Sequence, residues 1–304
     1  MYDLIIIGSG PAGLTAGIYA KRAGMDVLVI EKNTLGCGQI MGSPRVDNYP
    51  GLPGLSGYEL GETLRSHALS MEVPFREETV SGIFRKDSRI WELVLSDGSL
   101  LSTYALIYAA GTRQKSLGIP GESRLTGRGI HSCVVCDGPF YRGKSVAVVG
   151  GGDTALDSAL YLSTICSKVH LINLNREFSG NPGTVDRLSG LANVRIVTEC
   201  TVDRCEGGRQ LESLALSNGS HIRVDGLFEA IGAVPNTDLV RGLVDLDEDG
   251  YIIAGESCAT SAPGIFAAGD VRTKLLRQVV TAAADGAASI YTAAHYLKTI
   301  KTFL

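Results

Sequence analysis

Cys133-Val134-Val135-Cys136-Asp137 places two thiols three positions apart with a carboxylate directly behind them. The spacing alone is compatible with half a zinc site, a structural bridge or a pair of buried thiols, so its meaning comes from its neighbours. At the start of a helix, two such cysteines can close a small ring and share a lowered thiolate pKa. Asp137 is a candidate acid for a departing thiolate, and its position equally suits a helix N-cap or first-turn carboxylate. His131, two residues ahead of the pair, can tune its pKa or stand by.

Two glycine-rich turns flank this dithiol and favour electron transfer: Gly8-Ser9-Gly10-Pro11-Ala12-Gly13, and Gly150-Gly151-Gly152-Asp153-Thr154-Ala155 just downstream of it. In G-x-G-x-x-G, glycines make a tight turn, let backbone approach a pyrophosphate and pack helix on strand, while the helix N-terminus attracts the anion. Gly8, Gly10 and Gly13 fit that pattern. Glu31, at a strand end some twenty residues on, can accept hydrogen bonds from a ribose 2′-hydroxyl and would repel a 2′-phosphate, which favours FAD or NAD over NADP. The second turn reads G-x-G-x-x-A through Gly150, Gly152 and Ala155. Where a basic cluster would clamp a 2′-phosphate, the chain has His170-Leu171-Ile172-Asn173-Leu174-Asn175-Arg176-Glu177, with Arg176 the single cation beyond the strand. The pyrophosphate cradle is intact and the NADP discriminator is degraded; a turn that holds no ligand is the alternative.

The elements behind these turns are legible. Residues 3–7 form an apolar strand, the next helix runs through Leu14–Ala20, and Val27–Glu31 is the following strand, a βαβ unit with strands apolar on both faces. Ser145–Val149, Asp153–Ser163 and Lys168–Ile172 repeat the plan. Alternation over Ile90–Leu95 with the turn Ser96-Asp97-Gly98-Ser99 predicts a hairpin, Ala105–Thr112 returns as a buried strand, and Gly264–Asp270 is a strand before a long Ala-rich helix from about Gln278 to Leu297. The fold class is α/β: two Rossmann-like, three-layer ββα dinucleotide-binding domains, the second inserted into the first. Residues 1–115 with 246–304 form the first, and 116–245 the inserted domain.

With 304 residues, 44% hydrophobic and 20% charged, the chain is long enough for roughly two domains with real cores. A net charge of −4 gives no electrostatic reason for a nucleic-acid or anionic-membrane partner. The apolar start runs straight into Gly8 without a basic leader, and no apolar stretch reaches the roughly 20 residues of a membrane helix, so a cytoplasmic location is expected. Seven cysteines form an odd set without the density of a secreted disulfide scaffold. Cys37, Cys166 and Cys258 read as packed or surface thiols. Cys200 and Cys205 lack a second Cys/His pair, and no metal site is expected.

Over essentially its full length the chain resembles the low-molecular-weight thioredoxin reductases, flavoproteins of the pyridine nucleotide-disulfide oxidoreductase class. The matching segments are Gly8–Gly13, Gly38-Gln39 with Val46–Gly51, Ala110-Gly111-Thr112, Cys133–Asp137, Gly150–Ala155, and Gly264–Asp270 with Arg277-Gln278. The resemblance implies FAD held by the first turn, Glu31, Lys32, Gly38, Gln39, Asn48, Val80, Ala110–Thr112, Gly269, Asp270, Arg277, Gln278 and Val279. It implies a second dinucleotide at Gly150, Gly152, Asp153, Thr154, Ala155, Asn175, Arg176, Ile231 and Gly232. It assigns Cys136 to face the flavin, Cys133 to attack the partner disulfide and Asp137 to supply a proton. It further implies thioredoxin or a thioredoxin-like partner, a homodimer, and an inserted domain that turns about links near Leu117–Pro120 and Gly232–Asn236.

In one respect the chain departs from that family. The basic motif for the 2′-phosphate, expected at about 173–179, is nearly absent. NADPH is therefore expected to be a poor donor, replaced by reduced ferredoxin, NADH or a second flavin. An ordinary NAD(P)H-dependent thioredoxin reductase, a flavoprotein moving electrons between ferredoxin and nicotinamide, and a non-catalytic flavin-binding redox sensor are the alternatives; the dithiol argues against the second of these.

Overall fold

Strands that are apolar on both faces demand cover on both faces, and Tyr2–Ile7 meets that demand in the computed structural model, which describes residues 1–33, 36–43 and 45–301. Leu4 and Ile6 point into one core with Val27, Val29, Ala105 and Ile107, under the helices Pro11–Arg22, Gly57–Ser70 and Val279–Lys301. Ile5 and Ile7 point the other way, with Leu28, Ile30, Leu106 and Tyr108, against Val80, Ile83, Trp91 and Leu93. Period-2 alternation of one strand thus feeds two separate cores.

The chain divides into two compact units: Met1–Arg113 with Val234–Leu304, and Gln114–Ala233. In the first, Tyr2–Ile7 lies between two parallel neighbours, Val27–Glu31 and Leu100–Tyr108. The last of these is shared along its length: Leu100–Thr103 pairs antiparallel with Trp91–Val94, as the hairpin alternation predicts, and Leu106–Tyr108 pairs parallel with Ile265–Ala267. In the second unit five strands are all parallel, in the order Val194–Val197, Lys168–Ile172, Ser145–Val149, Gly226–Glu229, Ile130–His131. A three-stranded antiparallel sheet, Val202–Glu206, Ser213–Leu216 and His221–Arg223, supplies its third layer. Two ββα units of the expected α/β class result.

The sequence reading carries the inserted segment to residue 245, whereas the compact second unit ends at Ala233. Val240 and Val244 are buried in the first unit's core beside Val80 and Ile83. This stretch has no periodicity that assigns it to either side; burial alone places it. Between the units the chain runs through Thr112–Gln114 and Ala233–Pro235, which form a two-stranded sheet. The carboxy-terminal helix extends past Leu297 to Lys301, and residues 302–304 lie outside those described.

Candidate functional site

The dithiol stands where an edge strand of the second unit ends. Ile130–His131 pairs with Leu227–Phe228, and the chain then turns into a single helical turn, Val134–Asp137, whose N-cap is Cys133. Cys133 Sγ accepts from Cys136 N at 3.2 Å, and the two cysteines are joined with their Cα atoms 5.3 Å apart. Helical geometry brings residues i and i+3 to one face, and a one-turn helix suffices to close the ring.

Asp137 is not the cap of this turn. It is 6% exposed, its Oδ2 lies 3.3 Å from His131 Nδ1, and its Oδ1 is buried without a hydrogen-bond partner among the described residues. His131 reaches on through Nε2 to the Tyr141 hydroxyl at 2.8 Å. Burial and the charges of Asp137 and Asp225 push that hydroxyl up to about 12. The sequence reading treats His131 as an adjunct and omits Tyr141; their meeting depends on how the strand end and the next turn pack.

In the first unit the glycines do what their motif promises. A Cβ on Gly13 would lie 1.9 Å from Gly8 O, and one on Gly8, at φ +100°, would lie 2.5 Å from Ala109 O. Over Gly10 the space is open, with Gly38 Cα the nearest atom at 3.9 Å, and no side chain caps the helix Pro11–Arg22. Its first N–H groups are left for an anion. Glu31 takes Ser9 N and Ser9 Oγ on one oxygen, both at 2.9 Å, and Asn33 N on the other at 3.0 Å.

Several predicted residues converge at this end of the sheet. Gln39 Nε2 donates to Thr112 Oγ1 at 2.9 Å, Asn48 Nδ2 to Gln278 Oε1 at 2.9 Å, and Arg277 Nε to Asp270 O at 3.2 Å. Asp270 Oδ1 is buried with no partner among the described residues, and burial raises the carboxyl's pKa. A buried, unsatisfied acceptor at a strand end is costly unless something polar sits against it, so this cradle fits a hydroxyl-bearing ligand. Val80 packs its side chain in the core, and Lys32 is exposed.

Reading the sequence alone misses what holds the Gly269–Asp270 turn. Asp285, inside the long helix, accepts Gly269 N at 2.9 Å, Arg272 through two bonds of 2.9 and 2.6 Å, and Lys274 Nζ at 2.7 Å, with all three side chains nearly buried. An acid in an Ala-rich helix is the one available signal.

The second glycine turn shapes a cleft of about 470 Å³. Gly150, at φ +148°, has room for no Cβ, since one would lie 2.4 Å from Ala230 O. Again no side chain caps the helix, here Asp153–Ser163. Gly152, Thr154, Asn175, Ile231 and Gly232 line the cleft; Asp153, Ala155 and Arg176 do not. Asp153 Oδ1 instead accepts Asn181 N at 2.7 Å, and Arg176 is exposed. No lysine or arginine is among the lining residues, and Glu177 is the one ionisable carboxylate there. Asn173, which follows the strand as Glu31 ends its own, is 3% exposed and gives its Nδ2 to Asn175 O and Glu177 O.

The remaining cysteines are buried. Burial pushes Cys205 up to about 12 and Cys166 and Cys258 to about 11. Among the described residues no cluster of three metal-binding side chains occurs and no helix is long and apolar enough to cross a membrane.

Comparison with known proteins supports the same reading. The model of the pyridine nucleotide-disulphide oxidoreductase family matches residues 2–286. The chain is 37% identical to the bifunctional thioredoxin reductase/thioredoxin of Mycobacterium leprae over 98% of its own length and 66% of that protein. It is 36% identical to the thioredoxin reductase of Listeria innocua over all of this chain and 96% of the relative. The crystal structure of thioredoxin reductase from Streptococcus pyogenes superposes with a TM-score of 0.93 at 34% identity, over 98% and 99% of the two chains. A joined CxxC, two glycine cradles and these likenesses make the chain a member of the pyridine nucleotide-disulphide oxidoreductase family, a flavoprotein disulfide reductase of the thioredoxin-reductase kind.

Proposed function

We propose that the protein is an FAD-dependent reductase of a thioredoxin-type protein disulfide, working through Cys133 and Cys136 and drawing its electrons from a donor other than NADPH. The observation that carries the donor assignment is the roughly 470 Å³ second cleft, whose lining holds Glu177 but no lysine or arginine. A 2′-phosphate needs charge-assisted bonds from such cations, and a nucleotide with a free ribose diol does not. NADH or a second FAD suits the Gly150–Ala155 cradle, and reduced ferredoxin needs no nucleotide there.

FAD, when bound, supplies a hydride equivalent to a disulfide. The first unit, residues 1–113 with 234–304, is the proposed FAD domain and 114–233 the dithiol domain. Gly8–Gly13 and the uncapped helix N-terminus hold the pyrophosphate, Glu31 the ribose, and Asp270, turned by the Asp285 cluster, accepts from a ligand hydroxyl. Lys32, Gly38, Gln39, Asn48, Val80, Ala110–Thr112, Gly269, Arg277, Gln278 and Val279 complete that set. On the dithiol, Cys133 attacks the partner's disulfide, Cys136 resolves the mixed disulfide, and Asp137 supplies a proton. A homodimer in a reducing cytoplasm is part of the same proposal.

Anaerobic titration tests it. The purified protein is expected to be yellow and to bleach slowly with NADPH at micromolar concentration and faster with NADH or reduced ferredoxin; rapid bleaching by NADPH overturns the donor assignment. Flavin analysis giving two per chain assigns the second cleft to FAD, and one per chain leaves NADH or ferredoxin. Cys133→Ser is expected to abolish disulfide turnover and spare flavin reduction, whereas altered partner affinity alone would mark a sensor.

A further inference from the structure

We propose that His131 is a positioning residue of the dithiol: it clamps Asp137 through Nδ1, takes its own orientation from Tyr141 through Nε2, and so readies the free Asp137 oxygen to exchange a proton with departing sulfur. The proposal rests on Cys133 and Cys136 being the reactive pair.

Three observations support it. The His131 and Asp137 side chains are 6% and 9% exposed, so their 3.3 Å contact lies out of water, where it is strongest. The Tyr141 hydroxyl, pushed up to about 12, keeps its proton at neutral pH and donates to Nε2, which leaves Nδ1–H facing Asp137 Oδ2 at 3.3 Å. Asp137 Oδ1 is then the acceptor without a partner among the described residues, on the residue next to Cys136. The charged and titratable groups facing this chain are few. Asp137 comes from the short helix, Tyr141 from the turn after it, Asp225 acts on Tyr141, and Lys144 Nζ lies 5.3 Å from the Tyr141 ring. From the neighbouring strand comes Phe228, which is neutral and packs on both rings.

The step balances. Cys133 hands its proton to Asp137 and attacks a disulfide; one S–S bond forms as another breaks, and the first sulfur expelled takes that proton. Cys136 then attacks Cys133 Sγ as its own proton passes to Asp137 and on to the second sulfur expelled. Two electrons pass from dithiol to disulfide, and Asp137 ends as it began. His131 holds the carboxyl in place through both exchanges.

A leaving group of low pKa departs without an acid, and one of high pKa needs it. Holoprotein reduced with dithiothreitol and freed of it is therefore mixed, in single turnover, with an aryl disulfide, dithiobis(2-nitrobenzoate), and with an alkyl one, hydroxyethyl disulfide. His131→Phe keeps the aromatic packing and removes both polar contacts. It is expected to slow the alkyl reaction about tenfold and the aryl reaction by less than about twofold, with Asp137→Asn/His131→Phe no worse than Asp137→Asn alone. Equal loss for both disulfides, no loss for either, or additive loss in the double variant overturns the proposal. If His131→Phe does not fold by circular dichroism, Tyr141→Phe carries the test, with an expected alkyl-specific fall of about threefold; an unselective fall again overturns it. Absence of flavin or of catalytic turnover in the unaltered protein would sink the assigned function, while the single-turnover ratio still reports on His131.

Discussion

The two glycine turns are copies of one backbone device with different chemistry at matched positions. In both, a glycine at positive φ lies too close to the carbonyl of a neighbouring strand end for any side chain, Gly8 against Ala109 O and Gly150 against Ala230 O. In both, the following helix starts without a side-chain cap. The residue at the end of the second strand then separates them: Glu31 presents a carboxylate tied to Ser9, whereas the Asn173 amide is spent on its own loop. One residue before the matched carbonyls stand Tyr108, whose hydroxyl donates to Asn236 O at 2.7 Å, and Glu229, whose Oε1 is buried without a hydrogen-bond partner among the described residues. Backbone shape makes a pyrophosphate cradle, and a few side chains beside it choose which nucleotide can use the cradle.

The largest expected effects break the copies one at a time. Gly13→Ala sets a methyl group 1.9 Å from a backbone oxygen that has nowhere to go; overpacking of this kind costs about 1–3 kcal/mol or more. Protein without bound flavin is the expected outcome, read from visible absorbance. Gly150→Ala should close the second cradle and leave one flavin per chain; loss of that flavin as well would refute independent cradles. Next is Asp285→Asn, which strands Arg272 and Lys274 in a buried site. Breaking such a pair costs about 3–5 kcal/mol, and calorimetry should show a clear fall in Tm together with weaker flavin retention.

A smaller change sharpens the donor difference. Asn175→Arg puts a guanidinium on the cleft wall, where a charge-assisted bond to a 2′-phosphate is worth about 1.5–3 kcal/mol. The concentration of NADPH needed to bleach the flavin should fall by roughly tenfold or more, with that of NADH unchanged. The smallest effect concerns Glu229, which burial and the nearby Glu122 raise to about 8. The folded state therefore holds a proton that the unfolded chain gives up near its ordinary pKa, so stability falls as pH rises from about 4.5 toward 8. Glu229→Gln should flatten that slope in urea titrations at pH 5 and pH 8; an unchanged slope would assign it elsewhere.

Much of the architecture was legible because it is written in short-range rules. Ser145–Val149, Asp153–Ser163 and Lys168–Ile172 have the bounds that apolar runs and glycine punctuation indicate. The end of the inserted segment was not legible, since Val240 and Val244 join a core built largely by strands more than 130 residues earlier in the chain. Arg176 was a reasonable phosphate ligand by position, yet the loop turns it to solvent and lines the cleft with Asn175 and Glu177 on either side of it.

By itself the sequence determined the cradles, the dithiol and the α/β class, because tight turns, helix starts and strand faces depend on residues adjacent along the chain. Only the tertiary structure decided which polar atoms are left unsatisfied and which side chains meet. Asp270 and Asp137 each keep a buried oxygen without a partner among the described residues, Asp285 gathers two cations, and His131 spans Asp137 and Tyr141. Burial and hydrogen-bond partnership are set by how distant segments pack, and no local pattern carries that information.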